Sequence, residues 1–155
     1  MLTWKTLHVL SMITMITLFI GAEIFYASAI WRRDVRALAF VHRTVERTGL
    51  GIAALLAMIA GVVFGLVTAA TGGFDFVAPW LIVAYLLVAV FFVNAAIIGK
   101  RVVDVAKDAV KAEDGAHPAE DVVDDMANSR AVFLVAFNAV LFVVIVADMI
   151  LKPSL

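Results

Sequence analysis

Few side chains in this sequence combine a reactive group with an apolar setting, and His8 is the first of them. An imidazole nitrogen ligates haem iron and other metals, and a carboxylate often holds such a ring in place. Asp148 is expected at the same depth, because both residues lie near the outer ends of predicted helices. His8 is therefore a candidate haem ligand, and Asp148 is the candidate carboxylate that orients its ring. The alternative is an interfacial histidine that binds only water or lipid headgroups.

A second axial ligand for a haem is restricted by the positions of the other histidines. His42 and His117 fall in loops that we predict on the opposite side of the membrane. The second ligand is then a group from another chain or one of the methionines Met12, Met15 and Met149. The sequence does not fix the cofactor, and haem b is the candidate.

Glu23 is the second unusual group, a carboxyl inside the apolar run TLFIGAEIFYASAI of residues 17–30. Asn94 and Asn138 lie in two other apolar runs, and we expect them at the same depth. This level is about 22 Å from His8 along a helix. Ionisable groups inside a membrane are costly and usually face protein or a cavity. Three roles for Glu23 remain open. It is an uncharged clamp between helices, hydrogen-bonded to Asn94 or Asn138, or it is a proton-relay or cation site. The third role is a contact with a partner subunit or with the basic loop.

No catalytic residue and no separate metal site is predicted. The chain has no cysteine, which excludes disulfides, thiol catalysis and thiolate metal sites. The sequence contains no phosphate-binding loop, no Ser-His-Asp set and no His/Asp/Glu cluster with metal-ligand spacing. Because no basic face lies outside the predicted membrane loops, nucleic acid is not an expected partner.

Four long apolar runs must position these groups. The 155 residues are 65% hydrophobic, whereas soluble domains are nearer half apolar. A helix of about 20 apolar residues crosses a hydrocarbon core about 30 Å thick. We predict one integral-membrane domain over residues 1–155, with spans at roughly Leu2–Trp31, Leu50–Thr71, Phe76–Gly99 and Ala131–Leu151. The fold class is all-α, a four-transmembrane-helix bundle of two antiparallel hairpins.

The cations predict how the chain crosses the membrane, because they are concentrated in two connecting segments. They are Arg32, Arg33, Arg36, Arg43 and Arg47 after the first span, and Lys100, Arg101, Lys107, Lys111 and Arg130 between the third and fourth. Basic loops stay in the cytoplasm, so both termini and the turn at residues 71–75 face outward. We expect the bundle in a bacterial inner membrane, surrounded by lipid.

Both basic segments have helical patterns. Val35, Leu38, Val41 and Val45 recur near helical spacing, which predicts a short interfacial helix with its arginines at lipid headgroups. The alternative is a segment whose arginines serve only to set the membrane topology. The second segment is predicted to extend the third and fourth helices into the cytoplasm as an acidic hairpin, broken at DGAHP. The surface of this hairpin is either solvated or a docking site for a partner.

Small residues predict where the spans approach each other. Gly61 and Gly65 form a small-xxx-small pair that suits close helix contact. Pro79 suits the first turn of the third span, where a helix needs no backbone donor.

The segment Trp4–His8, WKTLH, followed by Gly21 and Phe25-Tyr26, resembles a broad set of small bacterial four-helix membrane proteins. Over most of its length the chain looks most like an uncharacterised integral-membrane family, a domain of unknown function. WKTLH is also similar to the opening of the membrane protoporphyrinogen oxidase family and of copper-resistance membrane proteins. In the oxidase family the first-helix histidine is implicated in haem binding, which the resemblance carries over to His8. That family also relies on a lysine within its third helix, and this sequence has none there before Lys100.

The expected function is that of a small non-catalytic subunit of a larger bacterial membrane complex, respiratory or electron-transferring, with other membrane subunits as partners. The subunit would contribute to a haem or quinone site near His8. One alternative is a haem-binding membrane oxidoreductase of the protoporphyrinogen oxidase type. Another is a proton- or ion-coupled carrier that uses Glu23.

Overall fold

The computed structural model describes residues 2–128 and 130–151, which form helices and connecting turns without a strand. The helices are α1 (Leu2–Trp31), α2 (Val35–Thr48), α3 (Leu50–Thr71), α4 (Pro79–Glu113), α5 (Ala119–Asn128) and α6 (Ala131–Leu151). Four of them, α1, α3, α4 and α6, are long and apolar enough to cross a membrane. The predicted all-α fold with four spans is confirmed, and α1, α3 and α6 have the predicted bounds.

The third span differs from the prediction at both of its ends. It begins at Pro79 rather than Phe76, because Asp75 closes a turn in which its Oδ1 accepts from the amide of Val77 at 3.0 Å. Pro79 occupies the first turn of α4, as predicted. The helix then continues without a break to Glu113, a total of 35 residues.

The acidic hairpin has two arms of different kinds. The C-terminal part of α4 is one arm, and the chain turns at residues 114–118 as predicted. The second arm, α5, is a separate ten-residue helix rather than a continuation of the fourth span. Val122 and Met126 of α5 are buried in the same core as Val102, Ala106 and Ala109 of α4. The hairpin is therefore held by apolar packing within the chain.

The helix α2 is present where its periodicity predicts it. The carboxylate of Asp34 caps its first turn by accepting from the amide of Ala37 at 2.9 Å. Gly49, with φ of +66°, makes the left-handed joint between α2 and α3 that a residue with a Cβ rarely adopts.

The apolar face of α2 packs on protein, which the prediction of an interfacial helix did not include. Leu38 and Ala39 are fully buried in a core to which α1, α2, α4, α5 and the start of α6 contribute. Arg43 donates to Glu113 and to Asp114, each at 2.8 Å, so its charge binds the end of α4 rather than a lipid headgroup. We call the part of the molecule formed by α2, α5 and the end of α4 the charged end.

Two pairings dominate the packing of the spans: α1 lies along α3, and α4 lies along α6. α1 also contacts α6, which joins the two pairs. Few apolar side chains on the spans are buried and many are exposed, which suits helices surrounded by lipid. The polar groups singled out above lie on the inward faces of these helices.

Candidate functional site

His8 lies on α1 and makes a backbone contact with α3. Its Nδ1 is 2.7 Å from the carbonyl oxygen of Gly61. A carbonyl only accepts, so Nδ1 carries the proton and donates it. In the neutral ring, Nε2 then holds a free lone pair, which is the form that ligates a metal.

Gly61 and Gly65 give α1 its close approach to α3. A Cβ at Gly65 would lie 2.9 Å from Cε1 and 3.0 Å from Nδ1 of His8. A Cβ at Gly61 would lie 2.7 Å from Sδ of Met12. The two glycines therefore leave room for the side chains of His8 and Met12 against the backbone of α3.

His8 lines a cavity of about 590 Å³ between α1, α3, α4 and α6. This volume falls within the range of about 300–1,000 Å³ typical of ligand sites. The lining is mainly aliphatic and aromatic, and its ionisable side chains among the described residues are Lys5, His8 and Tyr85. A large, mostly apolar ligand with one group for an imidazole to bind suits such a lining.

Four methionines line the same cavity: Met12 and Met15 of α1, Met58 of α3 and Met149 of α6. Three of them were named from the sequence as candidate second axial ligands. Met58 and the aromatic residues of α4 were missed, because an apolar span does not reveal which of its faces meets its neighbours. The structure thus brings the predicted thioethers to the cavity that His8 lines.

Asp148 does not take the place expected for it. It is buried on α6 but does not line the cavity, and Nδ1 of His8 bonds to the carbonyl of Gly61 instead. Within the described chain, Oδ2 of Asp148 has no hydrogen-bond partner. Lys152, which follows Asp148 by four residues in the sequence, lies outside the described residues.

Glu23, Asn138 and Asn94 come together as a chain of hydrogen bonds across three helices. Nδ2 of Asn138 donates to Oε1 of Glu23 at 3.1 Å. Nδ2 of Asn94 donates to Oδ1 of Asn138 at 2.6 Å and to the carbonyl of Leu134 at 3.3 Å. Asn138 is fully buried, so this set joins α6 to α1 and α4. Oε2 of Glu23 is buried without a hydrogen-bond partner among residues 2–128 and 130–151.

A third polar group, not recognised from the sequence, lies where α1 meets α2. The hydroxyl of Tyr26 is 3.0 Å from Nδ1 of His42, and both residues are buried. Nε2 of His42 is 3.3 Å from Oε1 of Glu46, one turn further along α2. The spacing of His42 and Glu46 was a visible signal, but the contact with Tyr26 depends on how α2 folds back against α1.

A family model described as a predicted integral membrane protein (DUF2269) matches residues 2–153. The match includes all four spans and both charged segments. No curated protein and no solved structure matches the chain. The family's description states a membrane location and no activity.

Proposed function

The chain belongs to the DUF2269 family of predicted integral membrane proteins, and we propose that it is a non-catalytic membrane subunit that binds haem b beside His8. The cavity between the four spans is the proposed binding site. Other subunits of a bacterial membrane complex would exchange electrons with the bound cofactor. The integral membrane location is stated by the family's description and the four candidate spans belong to the fold, whereas the subunit role and the cofactor are the proposal.

The observation that carries this proposal is the hydrogen bond from Nδ1 of His8 to the carbonyl of Gly61. Metal-ligating histidines usually donate the other ring N–H to a carbonyl or carboxylate, which fixes the tautomer and the orientation of the ring. The same tautomer argues against an oxidised quinone. A quinone carbonyl needs a donor, whereas Nε2 of this ring can only accept.

The residues of the cavity suit a haem in two further respects. Thioethers serve as axial haem ligands, and Met12, Met15, Met58 and Met149 line the cavity with His8. The aliphatic and aromatic lining would exclude water from the bound ring. Haem b bound there would supply one-electron redox chemistry, and the chain would hold and orient it.

The departure of α4 from the oxidase family's pattern favours a holding role over catalysis. Lys5, His8 and Tyr85 are the ionisable side chains of the described cavity lining. Oxidation of a porphyrinogen removes protons as well as electrons, and α4 has no lysine before Lys100 to take part in it. We therefore propose electron transfer rather than a porphyrinogen oxidase reaction.

The test is the visible absorption spectrum of the full-length protein, purified in mild detergent and titrated with haem b. The wild-type protein is expected to bind haem in about equimolar amount, as a single axial-histidine site would. His8→Ala is expected to lose the haem absorption band. The matched control is His117→Ala in the hairpin turn, which should bind as the wild type does.

Two results would contradict the proposal. One is a wild-type protein that takes up no haem, alone or together with the membrane proteins that copurify with it. The other is His8→Ala protein that retains the full haem content with an unchanged spectrum.

A further inference from the structure

Tyr26, His42 and Glu46 form a continuous polar path from the interior of the protein to its surface. The Tyr26 hydroxyl lies 3.0 Å from Nδ1 of His42, and Nε2 lies 3.3 Å from Oε1 of Glu46. The side chain of His42 is 5% exposed, whereas that of Glu46 is 62% exposed. The path therefore begins at a buried phenol and ends at a carboxylate in contact with solvent.

The chemistry of the three groups sets the direction of the protons. A carboxylate only accepts, so the proton of a neutral His42 lies on Nε2, beside Glu46. Nδ1 then accepts from the hydroxyl of Tyr26. Each group is thus ready to pass one proton toward the surface.

The buried end of the path lies one helical turn from Glu23. Residues three apart on a helix are neighbours on the same face, which places Tyr26 next to Glu23 on α1. Asn138 occupies one oxygen of the Glu23 carboxyl, and the other is buried with no hydrogen-bond partner in the described chain. Burying a carboxyl oxygen without a partner is unfavourable, so this position suits a group that exchanges a proton or binds a water.

We propose that Tyr26, His42 and Glu46 are a proton relay through which Glu23 exchanges its proton with solvent at the charged end of the molecule. The proposed path requires one water molecule between Oε2 of Glu23 and the Tyr26 hydroxyl. The relay is separate from the His8 cavity, because Tyr26 lies roughly 16 Å along α1 from Met15, the residue of this helix nearest to it in the cavity lining.

In the outward direction, the carboxyl proton of Glu23 passes through this water to the phenol oxygen while the phenol proton passes to Nδ1 of His42. The proton on Nε2 passes to Glu46. Glu23 ends as a carboxylate, and Glu46 ends as a carboxylic acid that releases its proton to solvent. One proton moves, and no electron is transferred.

The tautomer of the His42 imidazole limits how the relay can work. After one transfer its proton is on Nδ1, and the reverse transfer restores the starting tautomer. A second proton cannot follow in the same direction until the ring turns over. The relay therefore suits reversible charging of Glu23, as a proton-coupled membrane protein needs, rather than continuous conduction.

The experiment follows the infrared C=O stretching band of protonated Glu23 in full-length protein reconstituted into lipid vesicles. Glu23→Gln identifies the band by removing it, and a change from H₂O to D₂O shifts it at the rate of proton exchange. Tyr26→Phe keeps the ring and removes the hydroxyl, so exchange is expected to slow by about tenfold or more. Tyr85→Phe, which alters a tyrosine of the His8 cavity, is the control and should exchange at the wild-type rate.

Glu46→Gln keeps the inference testable if the buried variants fold poorly, because this side chain is mostly exposed. It is expected to slow the exchange, whereas Glu120→Gln on the exposed start of α5 is not. Wild-type exchange rates in both Tyr26→Phe and Glu46→Gln would overturn the proposal. A wild-type spectrum without a protonated Glu23 band would overturn it as well.

Discussion

At the scale of single residues, the most informative contact is between a side chain and the backbone. The imidazole of His8 is oriented by the carbonyl of Gly61. The sequence could identify His8, because a histidine in an apolar run is conspicuous. It could not identify its partner, because every residue has a carbonyl and only the packing of α1 on α3 selects one. The expected role of Asp148 was inferred from depth alone, and depth does not specify which face of α6 carries the carboxylate.

Gly65→Ala tests whether the ring of His8 depends on the space beside α3. The added methyl group would lie 2.9 Å from Cε1, so the ring or the helix must shift. Overpacking of this kind costs about 1–3 kcal/mol, and the helix propensity gained by replacing glycine is common to any Gly→Ala change on α3. Gly65→Ala is therefore expected to have a free energy of unfolding about 1–3 kcal/mol below that of a Gly→Ala variant without the clash. Reversible unfolding in detergent micelles measures the change, and the haem titration reports the displaced ring.

The matched control for this variant is Gly51→Ala on the same helix, where no atom lies within 4 Å of an added Cβ. Alanine is the better helix former by about 1 kcal/mol, so this variant should be as stable as the wild type or more stable. Equal stability of the two variants would show that the ring is not confined by Gly65.

At the scale of helices, the sequence indicated which segments are helical more reliably than it indicated which surfaces those helices pack against. Long apolar runs between turn residues defined α1, α3 and α6 with their observed bounds. The periodicity of α2 showed that one of its faces is apolar and must be buried. Burial against a membrane surface and burial against protein produce the same pattern. In the structure this face packs mainly on α4 and α1, and the two ion pairs from Arg43 add to this packing.

Asn138→Ala is the prediction at this scale, because one buried amide joins α6 to both α1 and α4. The variant leaves the Glu23 carboxyl and the Asn94 amide without this partner. Hydrogen bonds between membrane helices contribute about 0.6 kcal/mol on average and up to about 1.7 kcal/mol. We expect a loss of about 1–2 kcal/mol in the free energy of unfolding in micelles, since two such bonds are lost.

Asn128→Ala, at the exposed end of α5, is the control for the loss of an amide and should change stability little. If Asn138→Ala unfolds with the same free energy as this control, the three polar residues do not hold the helices together.

At the scale of the whole molecule, the polar groups form separate levels along α1. His8 and its cavity lie toward the end that bears the turn between α3 and α4, and Glu23, Tyr26 and His42 follow toward the charged end. The sequence predicted two of these levels by counting residues along one helix. The level formed by Tyr26 and His42 joins residues of α1 and α2, so it required the fold.

Cysteine labelling tests the predicted orientation, because the chain has no cysteine of its own. Val77→Cys places a thiol in the exposed turn between α3 and α4, and Ala116→Cys places one in the exposed hairpin turn. Basic segments remain in the cytoplasm. A thiol reagent that cannot cross membranes should therefore label Val77→Cys in intact bacterial cells and label Ala116→Cys only after lysis.

The unaltered chain provides the background for this labelling. If Ala116→Cys reacts in intact cells and Val77→Cys does not, the orientation in the membrane is the opposite of the predicted one. The proposed relay would then open to the outside of the cell instead of the inside.

The uneven packing of α3 has a consequence for access to His8. This helix rests mainly on α1 and on the end of α2, whereas α4 pairs with α6. Val62 and Leu66 of α3 and Tyr85 of α4 line the cavity and are also exposed on the outer surface. In a spanning bundle that surface meets acyl chains, so the cavity is open toward the lipid between α3 and α4. An apolar molecule dissolved in the bilayer would therefore enter the His8 cavity laterally, without passing through water.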